Sequence, residues 1–265
     1  MRTLTMRKLA KLFLLLCLTQ THNALAAEKN FIFNPRDVHH QLYIPNGKGL
    51  FPAVIILPGS GGVEKVHLTW AEKLKQHGYV VFIIDSFQPR GIKDRKSIGW
   101  DKATAVQLAD IAPAYHYLES LPTVDKTRIA LLGFSMGGYD TLRASQASGT
   151  GTLPEALPFK AAAAFYGVCK LISPQATFHA PVKLFVGKND DRATVTACAR
   201  LAAANPNTLS MLAYPKAQHG FDNPDFPTLE KITDEKGDSY HVGYNAKSAA
   251  AAAHDLLLFF ERYVK

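Results

Sequence analysis

The sequence predicts an α/β fold, a mostly parallel, doubly wound sheet flanked by helices. Three observations predict it. Six apolar runs of strand length recur along the chain, most without polar alternation, as strands covered on both faces of a parallel sheet read. Segments of helical length separate them, giving strand, helix, strand in repetition. The 265 residues are 47% hydrophobic, enough for one sizeable core, and no internal repeat or long linker divides them.

In chain order the expected strands are 53–57, 80–84, 128–132, 161–165, 182–186 and 209–213, with 39–44 as an antiparallel edge. Expected helices cover 63–77, 102–121, 136–148, 194–204 and 245–263. The alanine run 249–253 opens the last helix rather than forming a linker, because alanine is the best helix former. Residues 223–243 read as an irregular loop, and a loop of that length in a compact domain belongs beside the functional site.

The chain begins with a segment that reads as a cleavable secretory leader, residues 1–26, ahead of a single domain over 27–265. Basic residues run through Lys11, an apolar stretch covers 12–18, and Ala24-Leu25-Ala26 forms a small-x-small cleavage site before Ala27. An uncleaved anchor is the alternative, but the apolar stretch is far shorter than the roughly 20 residues that span a bilayer. The expected destination is therefore the periplasm or the medium, with no stable membrane anchor. Of the formal charge of +8, half comes from Arg2, Arg7, Lys8 and Lys11 in the leader, and the remaining Lys and Arg are scattered. That distribution speaks for a solvated surface and against a nucleic-acid partner. Cys17 leaves with the leader. Cys169 and Cys198 remain, to be read either as a disulfide in an oxidising compartment or as two separate buried thiols. Neither CxxC nor Cys/His spacing suggests a metal site.

The chemistry centres on Gly133-Phe134-Ser135-Met136-Gly137, which follows an expected strand and precedes an expected helix. This is the context of a nucleophile elbow, whose turn is so tight that its flanks must be very small. A serine hydroxyl needs a base, and the base needs an anion to fix its tautomer. In the chain order serine, acid, histidine, the acid falls just beyond the strand 182–186, at Asp190, with neighbouring Asp191 as its rival. The base falls at His219, beyond the strand 209–213 and beside Gly220. His241 and His254 also follow the acid, but they sit in the long loop and the last helix. The peptide N–H of Met136, at the start of a helix, is the first oxyanion donor. The second comes from the glycine-rich loop Pro58-Gly59-Ser60-Gly61-Gly62, at Ser60 with Gly61 behind it. A phosphate-binding reading of that loop lacks both the P-loop Lys-Ser/Thr and a GxGxxG pattern. His219 must be neutral to act as base, so activity is expected to fall in acid.

The segments Leu57-Pro58-Gly59-Ser60-Gly61-Gly62, 85–91, 133–138, 187–190 and 219–222, taken in order, resemble the dienelactone hydrolase family of the α/β-hydrolase superfamily. The resemblance covers nearly all of the chain after the leader. It implies an α/β-hydrolase fold and hydrolysis of carboxylic esters or lactones without metal or organic cofactor, with Asp190 and His219 as acid and base. The name-giving enzymes use a cysteine nucleophile in the cytosol, whereas this chain has Ser135 and a leader. Exported relatives look similar around Tyr166-Gly167-Val168-Cys169 and the helix bearing Cys198, which implies that the two cysteines pair. Arg90 resembles a residue near the family's site, to be read as a holder of a substrate carboxylate or as a tie for its own loop.

The expected partner is thus a small-molecule ester or lactone. The same triad also serves peptidases and acyltransferases, and a catalytically silent binding module would retain the fold.

Overall fold

The computed structural model describes residues 41–148, 157–234 and 237–265. The expected leader, residues 1–26, and the start of the expected edge strand, His39 and His40, lie outside the described residues.

Seven strands form the central sheet in the order β1-β3-β2-β4-β6-β8-β9, built from β1 (Leu42–Tyr43), β2 (Phe51–Leu57), β3 (Val80–Ile83), β4 (Val124–Phe134), β6 (Ala162–Phe165), β8 (Val182–Gly187) and β9 (Leu209–Tyr214). Only β1 runs antiparallel, pairing Leu42 with Phe82 and Tyr43 with Val81. All but one of the crossovers between the parallel strands carry a helix, α1 (Lys65–Gln76), α3 (Trp100–Glu119), α4 (Met136–Ala144) and α5 (Val195–Ala204), and α6 (Ala246–Tyr263) closes the chain. A four-residue helix, α2 (Arg95–Ile98), follows Asp94, whose carboxylate accepts the N–H of Ser97 at 3.0 Å. Every residue of β3 is fully buried, as are Ala53 to Leu57 of β2, so both faces of the central strands are covered. That is why their sequences show no polar alternation. The amphipathic helix α1 turns Val66, His67, Trp70, Ala71 and Leu74 inward. The alanine run does lie within α6, whose N-cap Asn245 accepts the N–H of Ser248.

Three segments differ from expectation. Strand β4 starts at Val124, four residues earlier than its apolar run, because Val124 pairs with Phe51 across a register shift in β2. The helix expected over 136–148 stops at Ala144. Residues Gln146–Ser148 form β5 and pair with β7 (Thr177–Phe178), a partner distant in sequence. Within the expected loop 223–243 lies a hairpin, β10 (Glu230–Thr233) and β11 (Ser239–Val242).

Cys169 and Cys198 form a disulfide with Cα atoms 5.1 Å apart, joining the 3-10 turn Cys169–Leu171 after β6 to α5. Among the described residues, no helix is long and apolar enough to cross a membrane.

Candidate active site

The C-terminal ends of β4, β8 and β9 bring together three side chains from distant parts of the chain. Ser135 follows β4 directly, with φ 54° and ψ −109°. That left-handed backbone is costly for a non-glycine residue and survives only where the surroundings enforce it. Here the Ser135 N–H donates to the Phe165 carbonyl at 3.0 Å, and its own carbonyl accepts the N–H of Tyr139 at 3.0 Å. The flanking glycines are steric necessities. A Cβ on Gly133 would run into the Gly137 carbonyl, and one on Gly137 into the Leu57 carbonyl.

Ser135 Oγ lies 2.8 Å from His219 Nε2, and His219 Nδ1 lies 3.0 Å from Asp190 Oδ2. The other carboxylate oxygen, Asp190 Oδ1, accepts the N–H groups of Arg192 at 2.8 Å and Ala193 at 2.7 Å. With that oxygen committed to amides, the acid presents Oδ2 alone to the histidine. The loops bearing acid and base are packed backbone against backbone. Lys188 and Asn189 donate N–H bonds of 2.9 Å to the carbonyls of Tyr214 and Ala217, and a Cβ on Gly187 would meet the Ala217 carbonyl.

The neighbouring carboxylate faces elsewhere. Asp191 accepts the His241 N–H at 2.9 Å, and its Oδ2 lies 2.8 Å from His241 Nδ1 in an exposed pair. Geometry therefore separates two residues that spacing left as rivals.

The glycine-rich loop lies against Ser135. A Cβ on Gly59 would stand 3.5 Å from Ser135 Cβ, and Gly59, Ser60 and Gly61 all border the cavity above Ser135. Arg95 engages Ser60 twice. Its N–H donates to the Ser60 carbonyl at 2.9 Å and its Nε to the Ser60 hydroxyl at 3.2 Å. Met136 is the first residue of α4, where backbone N–H groups have no intrahelical acceptor. The cavity is small, about 230 Å³. Phe226, Ile232 and Tyr240 border it, so the stretch 223–243 does lie beside the site.

Arg90 is not among the residues that border the cavity. Its guanidinium grips Asp110 of α3 through two 2.7 Å bonds and donates to the Ser86 carbonyl at 2.8 Å. Of the two readings of Arg90, the carboxylate holder is set aside because its donors are spent on its own loop and on Asp110. Burial pushes the Asp110 carboxyl up, and the Arg90 hydrogen bonds pull it back. Arg90→Ala would strand a buried carboxylate, an expected cost of about 3–5 kcal/mol in thermal or urea unfolding. The same variant should keep kcat/KM within about threefold of wild type. Lost kcat/KM at unchanged stability would return Arg90 to the substrate.

Several residues at the site were not singled out from sequence. Asp222, on the His219 loop, is buried and accepts Trp70 Nε1–H at 2.6 Å and the Tyr166 hydroxyl at 2.7 Å. Burial pushes its carboxyl up, against the pull of those two donors. Tyr166 in turn packs its ring 4.9 Å from that of His219, and Tyr240 of the hairpin approaches the same imidazole at 5.4 Å. The histidine is thereby held between two aromatic rings and the acid.

His67 of α1 also borders the cavity and is only 2% exposed. Burial pushes its pKa down to about 4. Unfolding restores an ordinary value near 6.5, so below that pH the unfolded chain binds a proton the folded one refuses. This lowers stability as pH falls from about 6.5 towards 4 and contributes nothing above. The expected loss is about 2 kcal/mol by pH 5. His67→Met should flatten the fall in unfolding free energy between pH 7.5 and 5, and an unchanged slope would refute the assignment.

A family model described as the dienelactone hydrolase family matches residues 38–264. Among curated proteins, a stretch of 102 residues is 30% identical to cutinase est2 of Thermobifida alba, covering 38% of this chain and 32% of that one. The chain thus spans about a third of the length of that relative. Among solved structures, a dienelactone hydrolase from Anabaena variabilis superposes with a TM-score of 0.62 at 20% identity, over 84% of this chain and 91% of that one. Esterase 2 of Thermogutta terrifontis, phosphorylated by paraoxon, superposes with a TM-score of 0.59 at 17% identity, over 81% and 84%. These likenesses extend the α/β-hydrolase fold over most of the described residues. With the family model running through Ser135, Asp190 and His219, the chain belongs to the dienelactone hydrolase family.

Proposed function

We propose that this protein is a serine hydrolase that cleaves carboxylic esters or lactones of small substrates through an acyl-enzyme on Ser135. The observation that carries the reading is the continuous relay from Ser135 Oγ through His219 to Asp190, at 2.8 and 3.0 Å, built on a strained elbow. Asp190 holds the proton of neutral His219 on Nδ1, which leaves Nε2 to accept the Ser135 proton. The alkoxide attacks the ester carbonyl, and the peptide N–H groups of Met136 and Ser60 receive the oxyanion. His219 then protonates the leaving alcohol. It next takes a proton from water as that water attacks the acyl-serine, and returns the proton to Ser135 Oγ as the acyl–oxygen bond breaks and the acid leaves. A cavity of about 230 Å³ has room for a short acyl or alcohol group, which favours small esters and lactones.

Intact-mass spectrometry after fluorophosphonate treatment tests the reading. A single adduct is expected on wild type, lost in Ser135→Ala and slowed in His219→Ala. Folded wild type that takes no adduct at neutral pH would move the protein to the binding-module class. Export to the periplasm or medium belongs to the same proposal. It is supported by the basic-then-apolar pattern of residues 1–26 and by a disulfide of the kind that persists in oxidising compartments. Mature protein beginning at Ala27 is the expected result of N-terminal sequencing, and an intact leader on protein recovered from the medium would refute it.

A further inference from the structure

His67 takes no part in the acyl-transfer steps, yet its ring borders the cavity above Ser135 and its residue is 2% exposed. It occupies the first turn of α1, where the Glu64 N–H donates to its Nδ1 at 2.9 Å. That bond commits the Nδ1 lone pair, so the proton of the neutral ring resides on Nε2. Burial holds the ring neutral at the pH where a histidine base operates. An edge contact with Phe134, the residue before the nucleophile, at 5.3 Å between ring centroids sets the tilt of the imidazole. Nε2–H has no hydrogen-bond partner among the described residues. A donor that no protein acceptor claims, on a residue lining the substrate cavity, is free to bond an acceptor oxygen of the ligand.

We infer that His67 Nε2–H is a specificity donor that selects esters or lactones carrying a second acceptor oxygen, a keto, ether or further carbonyl oxygen, beyond the scissile carbonyl. This rests on the esterase reading, in which the amides of Met136 and Ser60 already serve the scissile oxygen. A neutral imidazole suits such uncharged acceptors. An alkyl chain placed against the same N–H leaves it unsatisfied, and sites built to bond a polar group reject analogues lacking it.

The test uses two near-isosteric esters, 4-nitrophenyl methoxyacetate and 4-nitrophenyl butyrate, which differ by oxygen in place of methylene. Each variant is compared with wild type on the same substrate, so the different chemical reactivity of the two esters cancels. Asn at position 67 keeps an acceptor where Nδ1 stands, and so keeps the cap on Glu64, but has no donor at the Nε2 position. Gln places an amide N–H there. Expected is a fall of about tenfold in kcat/KM for methoxyacetate with His67→Asn, under about twofold for butyrate, and recovery with His67→Gln. Equal losses on both esters, or a variant order following the cap rather than the donor, would overturn the inference.

A second readout does not need turnover. In 15N-labelled Ser135→Ala protein, the His67 imidazole should show the Nε2–H tautomer, and methyl methoxyacetate should shift that nitrogen where methyl butyrate does not. A proton found on Nδ1, or equal shifts with both esters, also overturns it. Failure of wild type to cleave any ester refutes the hydrolase reading separately, while the spectrum still reports the donor.

Discussion

Asp190→Asn is expected to lower kcat by about 10⁴, while Asp191→Asn stays within about twofold of wild type. The asymmetry follows from what each oxygen touches. Asp190 Oδ1 accepts two backbone N–H groups, at 2.8 and 2.7 Å. An asparagine there will keep its only oxygen on those amides, which turns its NH2 towards His219. The imidazole must then offer a lone pair at Nδ1 and carry its proton on Nε2, where it cannot accept the Ser135 proton. Asp191, by contrast, is bound to exposed His241, and exposed pairs contribute little. Initial rates at pH 8 on a 4-nitrophenyl ester check both variants. An Asp190→Asn protein that retains a tenth of wild-type activity would remove Asp190 from the relay.

Gly137→Ala is expected to cost about 3 kcal/mol or more of stability and, in whatever protein folds, most of the activity. The added methyl would press on the carbonyls of Leu57 and Pro58, at the end of β2. Leu57 cannot retreat, because it is in register with Gly133 in the middle of the sheet. Relief must come from the loop 58–62, which carries the proposed Ser60 donor. At this chain length such a loss corresponds to a fall in Tm of about 6–12 °C. A Tm within about 2 °C of wild type would show that the elbow has more room than its glycines suggest.

The parts of the molecule legible in the sequence are those whose signals are local. Buried parallel strands leave unbroken apolar runs, and a tight elbow leaves small residues at fixed offsets, so the sheet and Ser135 could be read directly. Asp190 was the choice from sequence with Asp191 as its rival, since what separates them is which one meets the Arg192 and Ala193 amides and which one meets His241. The end of α4 was missed because 145–148 suits a helix locally and is claimed instead by β7. Four-residue strands with exposed lysine and glutamate concealed the hairpin. Arg90 showed a motif but not its partner, which lies 20 residues on, on the inner side of α3. His67 did leave a trace, standing three and seven residues before buried Trp70 and Leu74 on one helical face. A histidine at that spacing is readable as buried, although its neutral tautomer is not.

The run Asp190, Asp191, Arg192 divides its labour between two structures. Asp190 holds His219, Asp191 pairs with His241, and Arg192 binds Asp234 at 2.8 Å and lies over the Tyr240 ring at 5.0 Å. The hairpin that bounds the cavity is therefore moored to the very turn that bears Asp190. Grafting a different hairpin, to admit bulkier substrates, is separable from the Ser135 relay only if a carboxylate is kept where Asp234 meets Arg192. A hairpin transplanted without it would loosen Arg192, whose N–H holds Asp190 Oδ1, and its cost would appear in kcat rather than in the range of substrates admitted.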